Sequence, residues 1–221
     1  MFFPLHDDNP RERFPFITVA LIAVNVLVWL VQIPMGNSEQ AALLQAWAVV
    51  PENYSGGGGG PIMLPLITSL FMHGGLMHLA GNMWFLWLFG DNLEEDLGPF
   101  PYLVLYFLSG LGATFAHILA SPHSSTPLIG ASGAISGVMA GYMVLYPQVK
   151  VRVLIFLFRF ARVVPVSAMA FMGLWIAFQV VMAAVSESGQ GGGVAFMAHL
   201  GGFGAGLLLT LALKQFRSEK A

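Results

Sequence analysis

The stretch Phe100–Ala120 reads FPYLVLYFLSGLGATFAHILA and contains no Asp, Glu, Lys or Arg. A helix needs roughly 20 mostly apolar residues to cross a bilayer, and this stretch meets that requirement. Working outward, five more candidate spans follow from the same criterion. They are Phe16–Ile33, Gly75–Leu93, Ser132–Tyr146, Val163–Val185 and Val194–Leu213. The second ends in the acidic cluster Asp91, Glu94, Glu95 and Asp96. The expected fold class is therefore all-α: a polytopic membrane protein built as a six-transmembrane-helix bundle.

Composition agrees with lipid as the solvent. Of 221 residues, 57% are hydrophobic and 9% charged, and the mean hydropathy is +0.75. A soluble domain carries about 25% charged residues, so this chain cannot cover a water-facing surface. The absence of cysteine excludes disulfides, zinc–thiolate sites, iron–sulfur clusters and a thiol nucleophile. A net charge of -2 argues against nucleic acid as a partner. No small-residue cleavage site follows the first apolar run, so that run is expected to be retained as a span.

One membrane domain over residues 1–221 is expected. Residues 1–14 form a short cytoplasmic N-terminus and residues 214–221 a cytoplasmic tail. Residues 35–73 form a long first connection containing Trp47, the flexible run Gly56–Gly60 and the apolar stretch Ile62–Met72. This connection is too long and apolar for a simple turn, and its second half is expected to lie in the membrane interface. Lys150–Arg162 reads as a basic, apolar connector. The basic residues are Arg11, Arg13, Lys150, Arg152, Arg159, Arg162, Lys214, Arg217 and Lys220. With six spans all of them fall on one side, which the positive-inside rule makes cytoplasmic.

Polar groups in lipid are functional candidates by default. Four positions stand out: His78, Asn82, Ser132 and His199, with His117 a weaker fifth. His78 lies 13 residues before Asp91, Ser132 lies 14 before Tyr146, and His199 lies 15 before Lys214. At about 1.5 Å per residue each is ~20 Å above the cytoplasmic boundary. Three segments distant in sequence thus bring polar groups to one level. The span opening at Ser132 is short, so the preceding loop must dip into the membrane beside protein or water.

The residue types suit acyl transfer. Ser132 sits in Gly130-Ala131-Ser132-Gly133 at a helix N-terminus, where unpaired N–H groups can stabilise an oxyanion. His199 is the candidate base for its hydroxyl. Close helix approach is needed, and Gly133, Gly137 and Gly141 on one span and Gly202 and Gly206 on another provide it. His78 and Asn82, four residues apart on one helical face, can serve as side-chain oxyanion donors. No acid is placed to orient His199, Glu187 being the nearest, so a Ser–His pair is expected in place of a triad.

These residues resemble the rhomboid family of intramembrane serine proteases. The matching segments are His73-Gly-Gly-Leu-Met-His78-Leu-Ala-Gly-Asn82, Gly90 with Glu94, Gly130-Ala-Ser132-Gly133, and Ala198-His199-Leu-Gly-Gly202 with Gly206. The resemblance implies Ser132 as nucleophile, His199 as base, and His78 and Asn82 in an oxyanion hole. It implies cleavage of transmembrane protein substrates near their helix ends, with small residues favoured just before the cut and with no metal or cofactor. Two positions depart from the family pattern. Ser136 stands where many members carry an aromatic residue that packs on the base. Trp47 is followed by Ala48, where many members carry a Trp-Arg pair.

Other readings stand beside this one. Gly130–Gly133 on its own is also a common packing motif, Asn82 on its own is interhelical glue, and His117 reads as structural. A haem-binding or proton-conducting protein would use His78, His117 and His199. An inactive rhomboid-like protein that binds membrane clients is a further alternative, although its usual sign is loss of the Ser or His. The chain's minimal length points to a bacterial or archaeal plasma membrane. Nothing in the residues specifies an oligomeric state.

Overall fold

A computed structural model describes residues 2–55, 63–157, 159–185 and 195–218. The run Gly56–Gly60, Glu187 and the glycines at 189–193 lie outside the described residues. The chain begins with strand β1 (Phe2–Asp7), followed by α1 (Phe16–Gln32) and α2 (Asn37–Trp47). A 3-10 turn (Pro51–Tyr54), the short helix α3 (Pro65–Thr68) and a second 3-10 turn (Ser69–Phe71) complete the first connection. Then come α4 (Leu76–Leu97), α5 (Pro99–Ala120), α6 (Ser132–Leu145), β2 (Lys150–Leu157), β3 (Phe160–Ser167), α7 (Ala168–Val185) and α8 (Phe196–Ser218).

The chain is mostly helical. Among the described residues α5, α7 and α8 are long and apolar enough to cross a membrane, while α1 and α6 are apolar but shorter. Helix α6 is the centre of the bundle: Gly133 through Tyr142 are all buried, packed by α4, α5 and α8.

The all-α expectation is corrected by a three-stranded antiparallel sheet in the order β1-β2-β3. The segment expected as a connector is β2, and the segment expected to begin the fifth span is β3, so α7 starts at Ala168 and not at Val163. The physical reason lies in local chemistry. In Lys150-Val151-Arg152-Val153 charged and β-branched residues alternate, which is the strand period, and Val151 and Val153 are buried. Pro165, paired opposite Arg152, would break a helix interior, and the neighbouring valines favour strand.

The N-terminal segment, expected only as a short terminus, is pinned to the bundle. β1 pairs with β2, the Trp84 indole N–H donates to the Pro4 carbonyl over 2.7 Å, and Asn92 Nδ2 donates to the Asn9 carbonyl over 3.1 Å. The Tyr142 hydroxyl donates to the Asp7 carboxylate. Two further boundaries shift: α4 continues through the acidic cluster, and α8 runs to Ser218, so 214–218 is helix and not tail.

Glu94 explains why that cluster is helical and partly buried. Helix α1 follows Pro15, which offers no side-chain cap, and leaves its first N–H groups without helical partners. The Glu94 carboxylate accepts from the N–H of Ile17, the N–H of Thr18 and the Thr18 hydroxyl, each over 2.8 Å. A negative charge at a helix N-terminus is also favoured by the helix dipole. Helix α4 thereby caps α1 across the bundle.

Candidate active site

The site begins with backbone contact between α6 and α8. A β-carbon at Gly202 would run into the carbonyl oxygen of Gly133, and one at Gly206 into the backbone of Gly137. On the far side of α8 a β-carbon at Gly201 would stand 2.6 Å from the carbonyl oxygen of Gly112 on α5. Small residues at these crossings let the helices touch backbone to backbone. Gly133 adjoins Ser132, and Gly202 lies three residues after His199, so the same contact brings those side chains together. The Ser132 Oγ–H donates to His199 Nε2 over 2.9 Å. Both residues are half-buried.

The loop before Ser132 is held from the first connection. Val49 and Leu128 form an isolated antiparallel bridge, and the Gly130 N–H donates to the Ser69 carbonyl over 2.9 Å. Gly130 adopts a φ of 115°, a conformation that favours glycine. A β-carbon there would stand 2.8 Å from His78 Cε1 and Nε2 and 3.6 Å from Asn82 Nδ2. The loop backbone therefore lies directly against the two candidate oxyanion donors.

Ser132, His199, His78 and Asn82 line one cavity of about 830 Å³, together with Trp175 and Ser136. His117 lines it as well. The packing glycines Gly133, Gly137, Gly202 and Gly206 lie at the α6–α8 crossing behind the site.

Three neighbours of the site were not singled out by sequence reasoning. His73 is buried, and the Asn82 amide donates to its Nε2 over 2.9 Å. Its own backbone is gripped by Gln32, which accepts from the His73 N–H over 3.2 Å and donates to its carbonyl over 3.3 Å. Gln179 Oε1 accepts from His199 Nδ1–H over 2.7 Å. The Trp175 ring lies 5.7 Å from the His199 ring, centroid to centroid. Gln179 carries a readable signal: it is the one polar side chain in α7. Ser136 turns its hydroxyl back to donate to the Ser132 carbonyl over 2.6 Å.

The fold and site thus define a helical membrane protein with a serine–imidazole pair in one cavity. A family model described as the Rhomboid domain matches residues 62–216. The chain belongs to the rhomboid family and is an integral membrane protein. It is 30% identical over 217 residues to Rhomboid protein 1, mitochondrial, of Saccharomyces cerevisiae, covering 94% of this chain and 54% of the yeast protein. It is 27% identical over 197 residues to Rhomboid protease GluP of Bacillus subtilis, covering 89% of this chain and 35% of that protein. It is also 33% identical over 92 residues to the Presenilin-associated rhomboid-like protein, mitochondrial, of Bos taurus, covering 41% of this chain and 24% of that one. The chain spans about half the length of the yeast relative and less of the other two.

Proposed function

We propose that this chain is a serine endopeptidase that cleaves peptide bonds of transmembrane protein substrates within the bilayer. The carrying observation is the 2.9 Å contact between Ser132 Oγ and His199 Nε2, made by two different helices inside one cavity. In the proposed reaction Ser132 Oγ attacks the scissile carbonyl carbon and its proton passes to His199 Nε2. The resulting oxyanion is met by the Ser132 N–H, free of a helical partner at the start of α6, and by His78 and Asn82. Collapse breaks the C–N bond, and His199 returns its proton to the leaving amine. Water then enters the cavity, is deprotonated by His199, attacks the acyl-serine ester and restores the hydroxyl.

We further propose six spans, α1, α4, α5, α6, α7 and α8, with both termini and the sheet on the cytoplasmic side. The described basic residues support this, since they precede α1, lie between α6 and α7, or lie in the last turns of α8. Helix α6 has 14 residues, ~21 Å of rise against a hydrocarbon core of about 30 Å. Ser132 would then open below the outer surface, and the buried position of α6 spares it from facing lipid. The proposed membrane is a bacterial or archaeal plasma membrane, in keeping with the match to the Bacillus subtilis protease.

A fluorophosphonate probe tests the nucleophile. Purified protein should take up one label, mapped to Ser132, and lose it in Ser132→Ala and His199→Ala. Equal labelling in either variant contradicts the assignment.

A further inference from the structure

The proteolytic reading leaves the base itself unexplained. An imidazole serves Ser132 only if Nε2 is unprotonated and the ring cannot swing away. In many family members an aromatic residue on the nucleophile's own helix packs on the base, but here that position is Ser136, whose hydroxyl is engaged with the Ser132 carbonyl. Two side chains of α7 contact the ring from the other side. Trp175 lies against it at 5.7 Å with an interplanar angle of 41°, and Gln179 Oε1 accepts from Nδ1–H over 2.7 Å. Residues four apart share a helical face, so one face of α7 presents both.

Gln179 is placed as an inward-facing polar group. It is 4% exposed, whereas its neighbours Phe178, Val180 and Val181 are each more than half exposed. A buried amide in an apolar helix needs a partner, and among the described residues His199 supplies one. A carbonyl oxygen can only accept, so this contact puts the ring proton on Nδ1 and leaves the Nε2 lone pair facing the serine hydroxyl. With the amide reversed, its NH₂ would donate to Nδ1, and the ring would carry its proton on Nε2, the unproductive form.

We propose that Gln179 is the positioning residue of His199, fixing its tautomer, and that Trp175 holds the ring plane in place of the missing aromatic on α6. This rests on the proteolytic reading for its consequence, but the contact can be tested apart from activity.

Full-length protein labelled with ¹⁵N-histidine gives the tautomer directly, the His199 signal being assigned by its loss in His199→Ala. The expected result is the Nδ1–H form in wild type and a mixture in Gln179→Leu. Kinetics on a transmembrane substrate should show kcat down about tenfold in Gln179→Leu, the scale of one lost hydrogen bond, with KM little changed. Gln179→Glu, which presents an oxygen acceptor in either ionisation state, should restore most of kcat. Wild-type His199 in the Nε2–H form overturns the proposal whether or not any variant folds. So does full kcat in Gln179→Leu beside an inactive Ser132→Ala. Nδ1–H in a wild type that cleaves nothing would support the contact and count against the proteolytic reading alone.

Discussion

Gly202 of α8 lies against the carbonyl oxygen of Gly133 on α6, with no room for a methyl group between them. That contact sets the distance between the helices, and through it the separation of Ser132 and His199. In the proposed mechanism the two glycines set the catalytic geometry from behind the site.

Gly202→Ala should therefore push α8 away from α6. Overpacking of this kind costs about 1–3 kcal/mol, and activity should fall more than tenfold because the base moves from its serine. Gly204 on the same helix is a matched control, since a β-carbon there meets nothing within 4 Å. Gly204→Ala should stay within ~0.5 kcal/mol of wild type. Thermal unfolding and turnover, measured on both variants, check the pair.

In the proposed mechanism Asn82 acts on the oxyanion and not on the nucleophile. Asn82→Ala should keep an intact Ser132–His199 contact while lowering kcat by about 10²–10³, the range for loss of one oxyanion donor in a soluble protease. His73→Leu removes the acceptor that orients the Asn82 amide and should give a smaller loss of the same kind. Steady-state kinetics on a transmembrane substrate would show whether the two losses fall in kcat.

The strap formed by β1 should respond to pH in two opposite ways. Burial raises the Asp7 carboxyl above its ordinary 3.8, against the Tyr142 hydrogen bond that lowers it. Its protonated form is favoured in the fold, so its contribution is greatest at low pH and is lost as pH rises through the raised value. Asp8 is the reverse. Its hydrogen bonds to the Arg152 guanidinium, at 2.6–3.0 Å, hold it below 3.8. Its contribution is present above the unfolded value and is lost as pH falls through the depressed one. Asp7→Asn should therefore raise stability at neutral pH relative to acid, and Asp8→Asn should lower it at neutral pH and leave it unchanged in strong acid. Unfolding temperatures measured from strong acid, at about pH 2, up to about pH 7 separate the two.

Much of this arrangement was readable before the structure, because lipid penalises polar groups so heavily. Ser132, His199, His78 and Asn82 stand out in apolar runs for that reason, and all four line one cavity. The helix starts at Phe16 and Ser132 also agree with the apolar runs. The pairing of β1 is not legible because it is non-local, meeting a strand about 150 residues away in sequence; the β2–β3 hairpin is local, but its apolar run of Val and Phe looks the same in a connector. Glu94 stands in the sequence as one of an acidic cluster, whereas in the structure it caps α1. Gln179 gives a weak signal in the sequence because an amide bears no charge.

The most direct measurement of the central claim is cleavage of a model transmembrane substrate by purified protein in liposomes. Wild type should cut within or at the end of the substrate helix, and Ser132→Ala and His199→Ala should each abolish cutting while unfolding at temperatures close to wild type. Undiminished cleavage by either variant would contradict the account.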